Sequence, residues 1–194
     1  MRAFTFTELM ISAALTAIIL AGVLSTFVLM GRTGVNAANY SELEAQARRA
    51  LEMFAEEVRM ADSIGSTLSN STVTLGIPDS STSRTSVAYQ VTYAYDAANN
   101  LFTRTGPPMS DPTGAAATTT LMTGVHEISA GAGIFNYYRY VNNTNYSNQY
   151  TYNTTTNPVE VKQIEISFIA QRTNGVVNTA TNKVLSARFI LRNK

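Results

Sequence analysis

Leu9 to Met30 is a run of 22 residues without a charge, and the next charged residue after it is Arg32. As a helix it would measure roughly 33 Å at ~1.5 Å per residue, against a bilayer hydrocarbon core of about 30 Å. One carboxylate, Glu8, stands at its N-terminal edge. A charge carried to the hydrocarbon centre costs roughly 2.5–3.5 kcal/mol on insertion scales, and less near an interface. A plain membrane anchor gains nothing from it, so Glu8 is expected to have a partner.

Three plainer readings compete for this run. A single-pass anchor explains the apolar residues but not Glu8. A secretory signal peptide would end on small residues, and Val35-Asn36-Ala37 offers such a cleavage site. However, its apolar core is ordinarily ~7–15 residues and is preceded by positive charge, where this chain has Glu8. A buried helix of a soluble domain would show a polar face, and the run offers only Ser12, Thr16, Ser25 and Thr26.

Beyond the run, the chain becomes amphipathic from Tyr40 to Asp62. Leu43, Ala47, Ala50, Leu51, Phe54, Val58 and Ala61 recur at spacings of three and four, the mark of one helical stripe. The opposite side carries Glu42, Glu44, Arg48, Arg49, Glu52, Glu56 and Arg59. The stripe is expected to pack on a sheet, and the charged side to meet water or a neighbouring subunit. One helix is expected over 4–62, ending at Ile64-Gly65-Ser66. Gly22, Gly31 and Gly34 are its weak points, since each glycine costs about 1 kcal/mol relative to Ala in a helix interior.

The remainder reads as strands. Val87, Tyr89, Val91, Tyr93 and Tyr95 alternate with Ala88, Gln90, Thr92 and Ala94, a period of two. Residues 96–100 supply a turn and Leu101 to Thr105 returns as the hairpin partner. Further strands are expected over 72–77, 125–128, 135–141, 161–169 and 184–191, the last two joined by a turn at Asn174-Gly175. Gly114 to Thr120 reads as a small-residue loop, and Asn142 to Asn157 as a long uncharged polar excursion. The fold class is α+β: a long N-terminal helix, apolar in its first half and amphipathic in its second, on a C-terminal antiparallel β-sheet.

Composition narrows the chemistry. The chain has 194 residues, net charge +1, 14% charged residues and no cysteine. No basic stripe suits nucleic acid, so no nucleic-acid partner is expected. The missing cysteines exclude disulfides and thiolate metal sites. His126 is the only histidine, which makes a zinc or haem site implausible, and no metal, cofactor or catalytic group is assigned. Asp96, Asn99, Asn100 and Asp111 bear oxygens of the kind calcium takes, but Asp and Asn favour turns for their local hydrogen bonds. Six of the ten tyrosines fall between Tyr137 and Tyr152. Tyr137, Tyr138 and Tyr140 read as strand packing, whereas Tyr146, Tyr150 and Tyr152 are candidates for a surface contact, because Tyr supplies amphipathic area at low entropic cost.

Phe4-Thr5-Phe6-Thr7-Glu8-Leu9-Met10, followed by the apolar helix, resembles the processing site of type IV prepilins and type II secretion pseudopilins. In that family a short basic leader is cut before Phe or Met, and a Glu stands fifth in the mature chain. The resemblance implies a leader of residues 1–3, processing between Ala3 and Phe4, and Phe4 and Glu8 as assembly residues. Ala3 stands where the family usually carries Gly, and so short a leader leaves the start codon open to an upstream position.

From Phe4 onward the same resemblance implies a membrane or filament-core helix over 4–30, an amphipathic continuation over 31–64 and a β-rich head over 65–194. That outline is the lollipop of type IV pilins. Ala47 to Asp62 (ARRALEMFAEEVRMAD) and, loosely, the later strands resemble PilW-type minor pilins and J-type minor pseudopilins. The implied function is structural: a subunit of a pilus-like filament or secretion pseudopilus, main or minor. Its implied partners are other pilin-like subunits, the prepilin peptidase and an inner-membrane assembly platform. It would sit in the inner membrane first and in an extracellular or periplasm-spanning filament afterwards. Ala13, Ala14, Ala17, Ala21 and Gly22 would let helices approach closely in the filament core, and Gly31 and Gly34 would lend the helix flexibility. The competing class is a membrane-anchored extracytoplasmic binding domain that never polymerises.

Overall fold

A computed structural model describes residues 5–78, 87–140, 150–152, 158–174 and 177–191. Helix α1 spans Phe6–Met60, 55 residues, and runs unbroken through Gly22, Gly31 and Gly34. At ~1.5 Å per residue it is about 82 Å long. Thr5 caps its start, and at its end the Ala61 amide donates to the Glu57 carbonyl at 2.9 Å.

The helix stops earlier than the expected Ile64-Gly65-Ser66. The Asp62 amide donates to the Gly76 carbonyl (3.1 Å) and the Gly65 amide to the Thr74 carbonyl (2.8 Å). These sheet bonds turn Ser63–Ile64 into a first short strand, β1, in place of a last helical turn.

The strands form two antiparallel sheets rather than the single one expected. The first joins β1 to β2 (Thr72–Pro78), β3 (Val87–Asp96), β4 (Leu101–Gly106) and β5 (Ala117–Thr123) in chain order. The hairpin read from the period-two pattern is present as β3 and β4, with Tyr95 opposite Phe102. Asp96 closes its turn by accepting from the Ala98 and Asn99 amides at 3.0 and 3.2 Å.

Residues 117–120, expected as loop, are strand instead. Their pairing with β4 sets Thr118 against Thr105, with the hydroxyls 2.8 Å apart. An Ala-Thr run shows no alternation to read, but β-branched threonines suit an edge strand.

In the second sheet β10 (Val177–Ile190), β9 (Val161–Asn174), β7 (Phe135–Tyr140) and β8 (Tyr150–Tyr152) lie side by side, and β6 (Val125–His126) pairs with β9. β9 and β10 are each 14 residues, longer than expected, and meet at Asn174 opposite Val177.

Two glycines let the sheets join. Gly124, between β5 and β6, has φ +71°, and a Cβ there would overlap the Gln171 carbonyl oxygen. Gly133, φ +69°, lies against Asn70, whose carbonyl accepts from the Ile134 and Phe135 amides at 2.8 and 2.9 Å. Such backbone is open to glycine and strained for other residues.

Helix α1 lies across the seam. Its buried residues are Asn39, Leu43, Ala47, Ala50, Phe54, Glu57 and Val58. Of the expected stripe, Leu51 is only half-buried and Ala61 is buried just past the helix end, while Asn39 and Glu57 are additions. Phe54 touches both sheets, with ring centroids 4.8 Å from Tyr93 of β3, 5.9 Å from Phe135 of β7 and 5.3 Å from Phe189 of β10. The charged side of the helix meets its own head as well as water. Glu42 pairs with Arg172 of β9, and Glu44 with Lys183 of β10. Arg49, Glu52 and Glu56 are exposed.

Because Phe54 is wholly buried at this junction, Phe54→Ala should cost about 3–5 kcal/mol. Thermal or denaturant unfolding of the full chain in detergent checks this. An unchanged midpoint would contradict the packing.

Candidate functional site

Among the described residues, α1 is one helix long and apolar enough to cross a membrane, and none of its apolar stretch is buried. Phe6, Leu9, Ile18, Phe27 and Leu29 are between 57% and 76% exposed. Contiguous bare apolar surface on this scale marks a membrane or partner contact, and a signal sequence would share the length and composition.

Four hydroxyl side chains along this part of the helix are turned back onto it. Ser12 donates to the Leu9 carbonyl (3.0 Å), Thr16 to Ser12 (2.8 Å), Thr26 to Gly22 (3.0 Å) and Thr33 to Leu29 (2.6 Å). Back-bonding of this kind satisfies a hydroxyl where no water reaches it.

Ala13, Ala17 and Ala21, four residues apart, form one exposed row. At 3.6 residues per turn Ala14 stands beside it and Gly22 on a separate flank.

Glu8 closes a capping box with Thr5. The Thr5 amide and hydroxyl both reach Glu8 Oε2 at 2.9 Å, and the Glu8 amide donates to the Thr5 hydroxyl at 3.4 Å. This arrangement satisfies donors at the helix start and places a negative charge at the positive end of the helix dipole. Both Thr5 donors converge on Oε2. Ala3 and Phe4 lie outside the described residues. Thr5 was legible from the Thr5-x-x-Glu8 spacing, which is the sequence form of a capping box.

A second cluster was not foreseen. Glu57 is fully buried and Arg104 nearly so. Arg104 Nε donates to Glu57 Oε1 at 3.0 Å and Oε2 at 3.2 Å, and its Nη2 reaches Oε1 and the Pro107 carbonyl, the latter at 2.8 Å. The Tyr93 hydroxyl donates to Glu57 Oε2. Burial, then the Glu57 charge, pushes the Tyr93 phenol up, so it remains a neutral donor. Burial is the largest influence on Arg104 and would lower it, but the hydrogen bonds to Glu57, the Glu57 charge and Tyr93 together outweigh it and hold the guanidinium above its usual range. The signal lay in position: Glu57 follows Phe54 by three on the stripe, and Arg104 shares the inward parity of Phe102.

The tyrosine candidates separate. Tyr146 lies outside the described residues, and Tyr150 and Tyr152 stand in β8 at the sheet edge, opposite Tyr140 and Tyr138. Tyr137 is core, its hydroxyl donating to the Ser69 and Thr72 carbonyls at 2.8 and 3.2 Å. Tyr138 is half-buried on the outer face, with the Arg188 guanidinium 4.0 Å from its ring centre and its hydroxyl on Glu165.

His126 is half-buried in β6 opposite Ile169. The Asp and Asn oxygens considered for calcium do not converge. Asp96 closes the turn before β4, and Asp111 accepts from Thr113 (2.8 Å at the hydroxyl) in the loop after it. Six strand residues, roughly 20 Å, separate the two ends.

No protein-family model matches the chain, and no curated protein matches it significantly.

Glu165 supplies a pH test. Burial raises its carboxyl, but hydrogen bonds from Tyr138, Arg188 and Ser186 override that and hold it below the ordinary 4.5. A depressed carboxyl stabilises the fold above its unfolded value and ceases to do so as pH falls through the folded one. Unfolding midpoints should therefore drop below about pH 4.5, and Glu165→Gln should flatten that acid limb. Equal acid slopes in parent and variant would contradict the network.

Proposed function

We propose that this chain is a type IV pilin-like structural subunit, of a pilus-like filament or a secretion pseudopilus, assembled through its N-terminal helix. The observation that carries the reading is the division of one helix into two environments. The half over residues 39–58 buries one stripe in its own head, while the half over 6–30 is bare, largely apolar and headed by a carboxylate. The bare half suits a membrane first and a bundle of its own copies afterwards. The row of Ala13, Ala17 and Ala21 would bring such helices close.

In this reading a prepilin peptidase removes residues 1–3 and exposes the Phe4 amine, which is then N-methylated. Glu8 is the residue that requires a partner. In an apolar filament core its carboxylate must be neutral or paired, since an uncompensated buried charge is very costly. The leader takes Arg2 with it, and Arg32 is some seven helical turns away at ~3.6 residues per turn. An N-terminal amine is the cation within reach, and Oε1, free of the capping box, is the atom to receive it. The amine of the same chain stands about one turn off, while a neighbour's amine meets the carboxylate only at the right axial stagger. The pair thus checks register as well as adding energy.

Glu8→Ala should still be processed and reside in the membrane, yet assemble at least about tenfold fewer filaments when it is the only copy, a ratio equivalent to 1.4 kcal/mol. Electron microscopy of sheared filaments, with mass spectrometry of their subunits, reads the result. Filaments as abundant as the parent's would remove Glu8 from assembly, whereas a parent chain that forms no filaments at all would favour a non-polymerising anchored binding domain.

A further inference from the structure

The Glu57–Arg104–Tyr93 cluster lies far along the helix from Glu8, and a filament core has no evident use for it. Its geometry is nevertheless complete. Each Glu57 oxygen receives donors from Arg104, Oε2 also takes the Tyr93 hydroxyl, and Arg104 Nη2 is held in addition by the Pro107 carbonyl. Buried ion pairs are weak evidence for stability, because apolar residues of similar volume often serve as well, and their best-attested role is to fix register.

Apart from the tether at Asp62, whose amide joins the sheet at the Gly76 carbonyl just past the end of the helix, little in the helix–head interface sets register. Leu43, Ala47, Ala50, Phe54, Val58 and Ala61 repeat every three or four residues, so a slide of one turn, about 5.4 Å, presents another apolar row to the same floor. Apolar burial is non-directional and resists such a slide only through differences in shape. The ion pairs at the rim, Glu42–Arg172 and Glu44–Lys183, are part-exposed, and surface pairs of this kind contribute little. A slide of one turn would, in contrast, strip Glu57 of all its donors and leave both charges buried and unpaired.

We propose that Glu57, Arg104 and Tyr93 form an axial latch that fixes which turn of α1 the head grips. They are positioning residues. Because the helix projects bare from residue 6 to residue 34, any pull between an anchored helix and the head acts along the direction the latch opposes. This holds whether or not the chain polymerises.

The absence of cysteine makes the test clean. Two pairs are introduced separately into the full chain in detergent micelles and treated with a short bis-maleimide. Glu44→Cys with Lys183→Cys reports the native register, where those residues meet. Arg48→Cys with Lys183→Cys reports a slide of one turn. In the parent background the 44–183 product should dominate. Replacing the latch with Glu57→Leu and Arg104→Met should leave a folded protein by circular dichroism and raise the 48–183 product several-fold relative to 44–183. Arg104→Lys, which keeps the charge but loses the two-pronged grip, should raise it less; this variant decides the matter if the double replacement unfolds. A product ratio unchanged from the parent in the folded variants would overturn the latch, since the apolar contacts would then set the register alone.

Discussion

An unbroken backbone hydrogen-bond ladder from Phe6 to Met60 makes the helix and the head one mechanical object. The ladder is continuous between the bare apolar half and the amphipathic half, through Gly31 and Gly34. The two halves obey different solvents. Past Glu8, residues 9–30 turn the Ser12, Thr16 and Thr26 hydroxyls against their own carbonyls and show mostly hydrocarbon outward. Residues 39–58 place one stripe in a core and leave the flanks to ion pairs and water. A helix so divided requires two partners, of which the head is one.

The head must hold its end without any disulfide. It does so by closing two sheets around Phe54, whose ring meets Tyr93, Phe135 and Phe189, while Phe102 continues the contact to Phe168 at 6.3 Å. Backbone completes the seam. Asn70 accepts the Ile134 and Phe135 amides at the start of β7, the Tyr137 hydroxyl bridges the Ser69 and Thr72 carbonyls at the start of β2, and Gly124 lets the chain pass between sheets. The polar cluster at Glu57 is the exception within this apolar junction. Its value lies in geometry more than in net free energy, because buried charges are expensive to desolvate.

The helix was legible because its two halves carry strong periodic signals: an uncharged run of membrane length, then apolar residues at spacings of three and four. The β3–β4 hairpin was legible for the same reason, its alternation being strict and its turn rich in Asp and Asn. What escaped depends on tertiary context. Ser63 and Ile64 leave the helix because β2 offers their backbone a sheet partner, and no local signal announces that. Residues 117–120 become strand only because β4 has a free edge. The second sheet is invisible locally, since the bends at Gly124 and Gly133 are set by close approaches to Gln171 and Asn70. Thr5 and Glu57 were both readable, the first from the capping-box spacing and the second from its place on the stripe, but each requires a charged residue to be considered with its neighbours.

The claim that the bare helix is an assembly element depends on how the chain is processed. The most direct measurement is the mass of the mature N-terminus, taken by fragment mass spectrometry on protein recovered from membrane and surface fractions. The account predicts a chain that begins at Phe4 and carries one added methyl group on its amine, so that the apolar helix and Glu8 are kept. A chain that begins at Ala38 would contradict it, because signal-peptidase cleavage there would discard the whole bare helix and leave only the amphipathic half and the head.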